Sequence, residues 1–159
     1  MKETRFIDTS ILLEILEVPN KCKNPKQYQS ELAKFASQPQ AILIMPISVL
    51  IETGNHINHI KSNQPAKNKS TQRFLDILKL FINNSNPWLF YGYDFNEKDI
   101  GRVIKEYENL RYSGMGIGDT FILDSFKEYV SKLKDSDAKN HKIEIWTLDK
   151  HLKGYCEEL

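Results

Sequence analysis

Five apolar residues in succession, Ala41-Ile42-Leu43-Ile44-Met45, stop at Pro46. A strand with one face in water alternates polar and apolar side chains, because successive side chains point to opposite faces. A strand without alternation has both faces covered, the usual condition in a parallel sheet flanked by helices. After Pro46 the period changes: Val49, Leu50, Thr53, Ile57 and Ile60 recur at helical spacing, and proline suits the first turn of a helix. This segment alone points to an α/β class.

The rest of the chain repeats the pattern. Arg5-Phe6-Ile7 reads as a strand ending at Asp8-Thr9-Ser10, whose side chains can cap a helix carrying Ile11, Leu12, Ile15 and Leu16. Residues 19–25 read as a loop and residues 28–37 as a helix with Leu32, Phe35 and Ala36 on its apolar face. Residues 61–70 read as a flexible polar loop before an amphipathic helix through Phe74, Leu75, Leu78, Phe81 and Ile82. A third strand is expected at 88–91, and Asn96 can cap a helix ending near Arg111. Residues 113–118 form a glycine-rich turn into Asp119 and a helix through Phe121, Ile122, Ser125 and Tyr129. Residues 134–142 read as a polar linker and 143–147 as the fourth strand. Four strands alternating with helices over residues 1–159 predict a single domain, a three-layer α/β/α sandwich around a mainly parallel sheet.

Composition excludes several classes. Lys plus Arg is 22 and Asp plus Glu is 21, a net charge of +1, so no global excess draws the chain to nucleic acid or a membrane. Cys22 and Cys156 have no metal-ligand spacing and are too few for a disulfide scaffold. No signal-peptide apolar region follows Met1, and nowhere do 18 apolar residues run together. The expectation is a cytoplasmic protein with no membrane partner.

In open parallel sheets ligands sit beyond the carboxyl ends of the strands. Asp8 ends the first strand, Asp149 lies two residues past the fourth, and Asp119 opens the helix after the glycine-rich turn. Glu52, six residues after Pro46, can face the same edge from the second turn of its helix. Four converging carboxylates repel one another and call for a bound cation. Oxygen ligands favour Mg²⁺ or Mn²⁺, ions that typically activate water and neutralise charge in phosphate chemistry.

Phe6-Ile7-Asp8-Thr9-Ser10, Pro46-Ile47-Ser48-Val49-Leu50-Ile51-Glu52, Gly118-Asp119 and Trp146-Thr147-Leu148-Asp149 resemble, in order, the four acidic motifs of PIN-domain nucleases. The resemblance is nearest to the VapC-like toxin ribonucleases of type II toxin–antitoxin pairs. It implies a Mg²⁺- or Mn²⁺-dependent endoribonuclease acting on RNA, a cognate antitoxin that inhibits it, and a possible homodimer, for which the apolar face of residues 11–16 is available. By motif, Asp8, Glu52, Asp119 and Asp149 match the catalytic, metal-holding acids, and Thr147 matches the hydroxyl residue before the last acid. Thr9 and Ser10 match positions that orient metal-bound water. The chain departs from the common pattern in its long 61–70 segment and in Thr120-Phe121, where small residues are usual.

Each residue also has a plainer reading. Asp8 and Asp119 can be helix caps, Glu52 a solvated helix residue unless Leu50 and Ile51 mark a largely buried helix, and Asp149 part of a Thr-x-Asp turn. Asp124, about 140° around the helix from Asp119, is expected to face elsewhere. His56 and His59 lack further zinc-type partners and read as surface or groove-lining residues. Lys61, Lys67, Lys69 and Arg73 form a basic stretch that would hold an RNA backbone beside a nuclease site. Tyr91, Tyr93, Phe95 and Tyr112 read as core or rim. Two rivals stand beside the nuclease: a noncatalytic PIN-like module binding protein or RNA, and an aspartyl phosphatase of the haloacid dehalogenase type. The phosphatase would want an acid where this chain has Ser10.

Overall fold

The computed structural model describes residues 1–61, 63–91 and 96–159. Along the chain run β1 (Lys2–Ile7), α1 (Thr9–Ile15), α2 (Pro25–Ala36), β2 (Ala41–Ile44), α3 (Ile47–Asn58), α4 (Gln64–Ile82) and β3 (Trp88–Leu89). There follow α5 (Glu97–Leu110), a 3-10 turn (Arg111–Ser113), α6 (Ile117–Asp135), β4 (His141–Trp146) and β5 (Cys156–Glu158). The strands form one α/β sheet in the order β3-β2-β1-β4-β5, parallel except for β5, which runs antiparallel to β4.

That order positions the site. From β1 the chain steps outward to β2 and β3, then returns to lay β4 on the other side of β1. Loops leaving β1 and β4 therefore diverge, and such a reversal opens a crevice at the carboxyl edge of a sheet. The two strand ends lie side by side, with Asp8 N–H donating to Trp146 O at 3.1 Å.

Phe6 and Ile7, adjacent in sequence, are both fully buried, as are Leu43 and Ile44. Because neighbours on a strand face opposite ways, both faces of the central strands are covered. Phe6 meets the Phe126 and Tyr129 rings of α6 edge-on, with centroids 5.8 and 5.5 Å away. At the other end of β1, buried Thr4 pairs with His141 Nε2 at 2.8 Å, and burial holds the His141 imidazole below its ordinary pKa.

Several expectations are corrected. Among the described residues there are five strands rather than four, since Cys156-Glu157-Glu158 joins the sheet through backbone pairing without apolar alternation. Of the expected 61–70 loop, residues 64–70 are helical: α4 starts at Gln64, with Asn63 capping Ala66 N at 3.0 Å and a proline in the first turn. Its first half is polar because it faces water, apart from buried Ser70. Helix α2 begins at Pro25, β3 stops at Leu89, and the expected linker at 134–142 shrinks because α6 runs to Asp135 and β4 begins at His141. The face of residues 11–16 cannot serve a homodimer, because Ile11, Leu12, Leu13, Ile15 and Leu16 belong to the core. Helix α3 buries only Val49, Thr53 and Ile57, leaving Ile51 and Glu52 exposed rather than in a largely buried helix. Tyr93 and Phe95 lie outside the described residues, Tyr91 packs on the core, and Tyr112 is exposed. Among the described residues no helix is long and apolar enough to cross a membrane.

Candidate functional site

Asp8 follows β1 and caps α1, accepting from Ser10 N at 3.3 Å and from the Ser10 hydroxyl. The capping reading and the site reading therefore both hold for it. The Thr147 hydroxyl also donates to Asp8 Oδ2, at 2.8 Å, and accepts from Asp149 N at 2.8 Å. Leu148 N donates to Ser10 Oγ at 3.0 Å, so the end of β4 is stitched to the start of α1. Asp149 closes a turn on His151 N at 2.6 Å.

From the other side, Thr9 Oγ1 donates to Glu52 Oε2 at 3.0 Å, joining α1 to α3. His56, one turn further on, has Nε2 3.6 Å from Glu52 Oε1. Asp119 is the third residue of α6 and accepts from Gly116 N at 3.2 Å. Ser48 Oγ donates to Gly118 O at 3.2 Å, fixing that first turn against α3. Gly118 lies close to Glu52: a Cβ there would sit in ordinary van der Waals contact, 3.6 Å from Glu52 Oε2.

Asp8, Glu52, Asp119 and Asp149, with Thr9, Ser10, His56 and Lys21, line a cavity of about 380 Å³. Asp8 is 4% exposed and forms its floor, while the Glu52 side chain, 48% exposed, stands at the rim. Burial pushes the Asp119 carboxyl above the usual carboxylate range; the Gly116 N–H opposes this, and the charges of Asp149, Asp8 and Glu52 push it further. The four acids thus share one electrostatic environment.

Each acid is nevertheless turned toward a protein donor of its own. Among the described residues no three His, Cys, Asp or Glu side chains group closely enough to hold a metal ion as they stand. The donor chemistry, four carboxylates with the Thr9 and Ser10 hydroxyls around one cavity, fits a hard divalent cation.

The other expected residues divide clearly. Asp124 points away from the cavity and pairs with Arg102 of α5 at 3.2 Å. His56 lines the cavity and His59 is exposed. None of Lys61, Lys67, Lys69 and Arg73 lines it. Lys67 Nζ donates to Asn58 O at 2.9 Å, and Arg73 is held by Glu17 and by Leu16 O, so Arg73 is a structural clamp in this conformation. The basic side chain on the cavity wall is Lys21, which periodicity did not single out; the Pro19-Asn20 turn after α1 was its sequence signal. A separate hollow of about 360 Å³ between α3, α4 and α6 is lined, among the described residues, by apolar side chains with Tyr91 and Ser125. No family model, curated protein or solved structure matches the chain.

Proposed function

We propose that this chain is a divalent-metal-dependent endoribonuclease of the PIN-like type, folded as a three-layer α/β/α sandwich. The observation that carries the reading is that four carboxylates from four separate elements line one cavity, where the strand order reverses between β1 and β4. The layered architecture is supported by adjacent buried pairs such as Phe6-Ile7, which need cover on both faces. The motif resemblance extends the proposal to an RNA substrate, a cognate antitoxin and a cytoplasmic setting. A homodimer, if formed, uses a surface other than α1.

Asp8, Glu52, Asp119 and Asp149 would hold Mg²⁺ or Mn²⁺, which when bound supplies an activated water and neutralises charge on the phosphodiester. The chain's own residues prepare that arrangement. Ser10 and Thr147 fix the Asp8 carboxylate, and Thr9 aims Glu52. The raised pKa of Asp119 keeps its charge costly until a cation compensates it. The products would be a 5′-phosphate and a 3′-hydroxyl.

The test compares wild type with Asp8→Asn on RNA, with Mg²⁺, with Mn²⁺ and with chelator. Metal-dependent cleavage by wild type and its loss in the variant are expected; equal cleavage by both sinks the assignment. The absence of a ready three-ligand group among the described residues favours one second reading, a noncatalytic PIN-like protein- or RNA-binding module. That reading requires RNA or protein binding with no cleavage under any metal.

A further inference from the structure

The basic residues read from the sequence as RNA ligands lie off the acidic cavity, yet a polyanion approaching four carboxylates needs a cation at the entrance. Lys21 lines that cavity and, among the described residues, forms no ion pair, although all four acids surround the same space. Its ammonium is left for something outside the chain.

The segment that carries it is built to stay in place. Residues 16–24 include two non-glycine residues in the left-handed region, Glu17 at φ 54° and Asn20 at φ 62°. Chains keep such conformations where surrounding contacts enforce them. Here the enforcing contacts come from three sides. The Glu14 carboxylate, 3% exposed, accepts from Lys23 N at 2.9 Å and Asn24 N at 2.8 Å. Val18 is fully buried, and Lys21 N donates to Val18 O at 3.0 Å. Arg73 of α4 grips Glu17 and Leu16 O, while Gln29 of α2 donates to Ile15 O at 2.9 Å. A buried carboxylate and an arginine are committed to a turn whose outward product is one unpaired lysine at the acidic cavity.

We propose that Lys21 is a phosphate ligand of the RNA substrate, presented by the Glu14- and Arg73-braced turn to a backbone phosphate beside the bond being cut. This rests on the nuclease reading and names the part of the site that holds the polyanion. Lysine is suited to the task because its compact ammonium meets phosphate as a point charge without needing a fixed plane. The Lys61, Lys67 and Lys69 region then contributes only to diffuse attraction.

The test measures Lys21→Ala, Lys21→Arg and the surface control Lys98→Ala by two readouts across a salt series. One is steady-state cleavage of a fluorogenic single-stranded RNA with Mn²⁺. The other is binding of a labelled random-sequence single-stranded RNA 20-mer with Ca²⁺. Lys21→Ala is expected to raise KM and weaken binding about tenfold, as for loss of one charge-assisted contact, with a smaller change in kcat. The slope of log affinity against log salt should fall by about 0.7, one single-strand phosphate contact. Lys21→Arg should restore most of both, and Lys98→Ala should match wild type. Unchanged KM, binding and salt slope in Lys21→Ala overturn the proposal. A wild type that binds RNA but cleaves none with either metal refutes the nuclease reading, and the binding data then decide Lys21 alone. A wild type that binds no RNA overturns both.

Discussion

Replacing Glu14, a residue 3% exposed, by alanine removes the acceptor for two backbone N–H groups, those of the more exposed Lys23 and Asn24. A buried donor left without a partner costs about 1–3 kcal/mol, so the pair costs about 2–6 kcal/mol. That is a large share of the roughly 5–15 kcal/mol that holds a domain folded. For a chain of this size about 2–4 °C of Tm is lost per kcal/mol, which places the variant roughly 5–20 °C below wild type. Glu14→Gln keeps one carbonyl acceptor but loses the charge assistance and should fall between the two. Calorimetric or circular-dichroism melts give the Tm values, and amide hydrogen exchange reports directly on Lys23 and Asn24. Both amides should be protected in wild type and exchange freely in Glu14→Ala. A Tm within 2 °C of wild type, or unprotected Lys23 and Asn24 amides in wild type, refutes the bracing argument and removes the support for a fixed Lys21.

Asp119→Asn should abolish cleavage while raising Tm at pH 7, because burial and three nearby acids disfavour the folded carboxylate's charge. The gain should vanish below about pH 4, where the acid is protonated in both states; a lower Tm at pH 7 contradicts this. His141, whose folded pKa is depressed by burial with a smaller push from Lys2, holds a proton less readily in the fold than in the unfolded chain. As pH falls below about 6.5 the unfolded chain takes up the proton first, so urea-measured stability should drop by up to about 1.4 kcal/mol per pH unit. His141→Gln should flatten that slope, and an unaltered slope contradicts the assignment. Among the described residues Thr53 Oγ1 is buried without a hydrogen-bond partner, so Thr53→Val should stabilise by about 1 kcal/mol in urea unfolding, and a loss of stability would contradict this.

The legible and illegible parts of this molecule divide along local and non-local information. Ala41 to Ile44 announces a strand covered on both faces because burial writes itself into consecutive residues. Asp8, Asp119 and Asp149 are legible because each stands at a boundary between elements, where period and chain direction change together. The strand order that brings β4 beside β1 is carried by the packing of whole helices and leaves no mark at any single position. β5 is hidden for a related reason: Cys156-Glu157-Glu158 is held through its backbone, which every sequence shares. The start of α4 looks like a loop because Asn, Gln and Lys fill a helix face that meets water; Asn63 and Pro65 are the cap signals that outweigh its polarity. For Glu52 the position is legible and the exposure is not, since the apolar Leu50 and Ile51 that precede it suggest burial, whereas Ile51 is itself 55% exposed. Lys21 depends on a turn shaped by Glu14 and Arg73, 7 and 52 residues away along the chain, a relation that only folding reveals.

The central claim is that four carboxylates at the β1–β4 crevice act together as a divalent-cation site. Titrating Mn²⁺ into wild type and into Asp8→Asn, Glu52→Gln, Asp119→Asn and Asp149→Asn by isothermal calorimetry, at constant pH and salt, tests it without reference to any substrate. Saturable binding by wild type, weakened at least tenfold by each single neutralisation, is the expected result. No binding by wild type, or binding that survives all four substitutions unchanged, would contradict it.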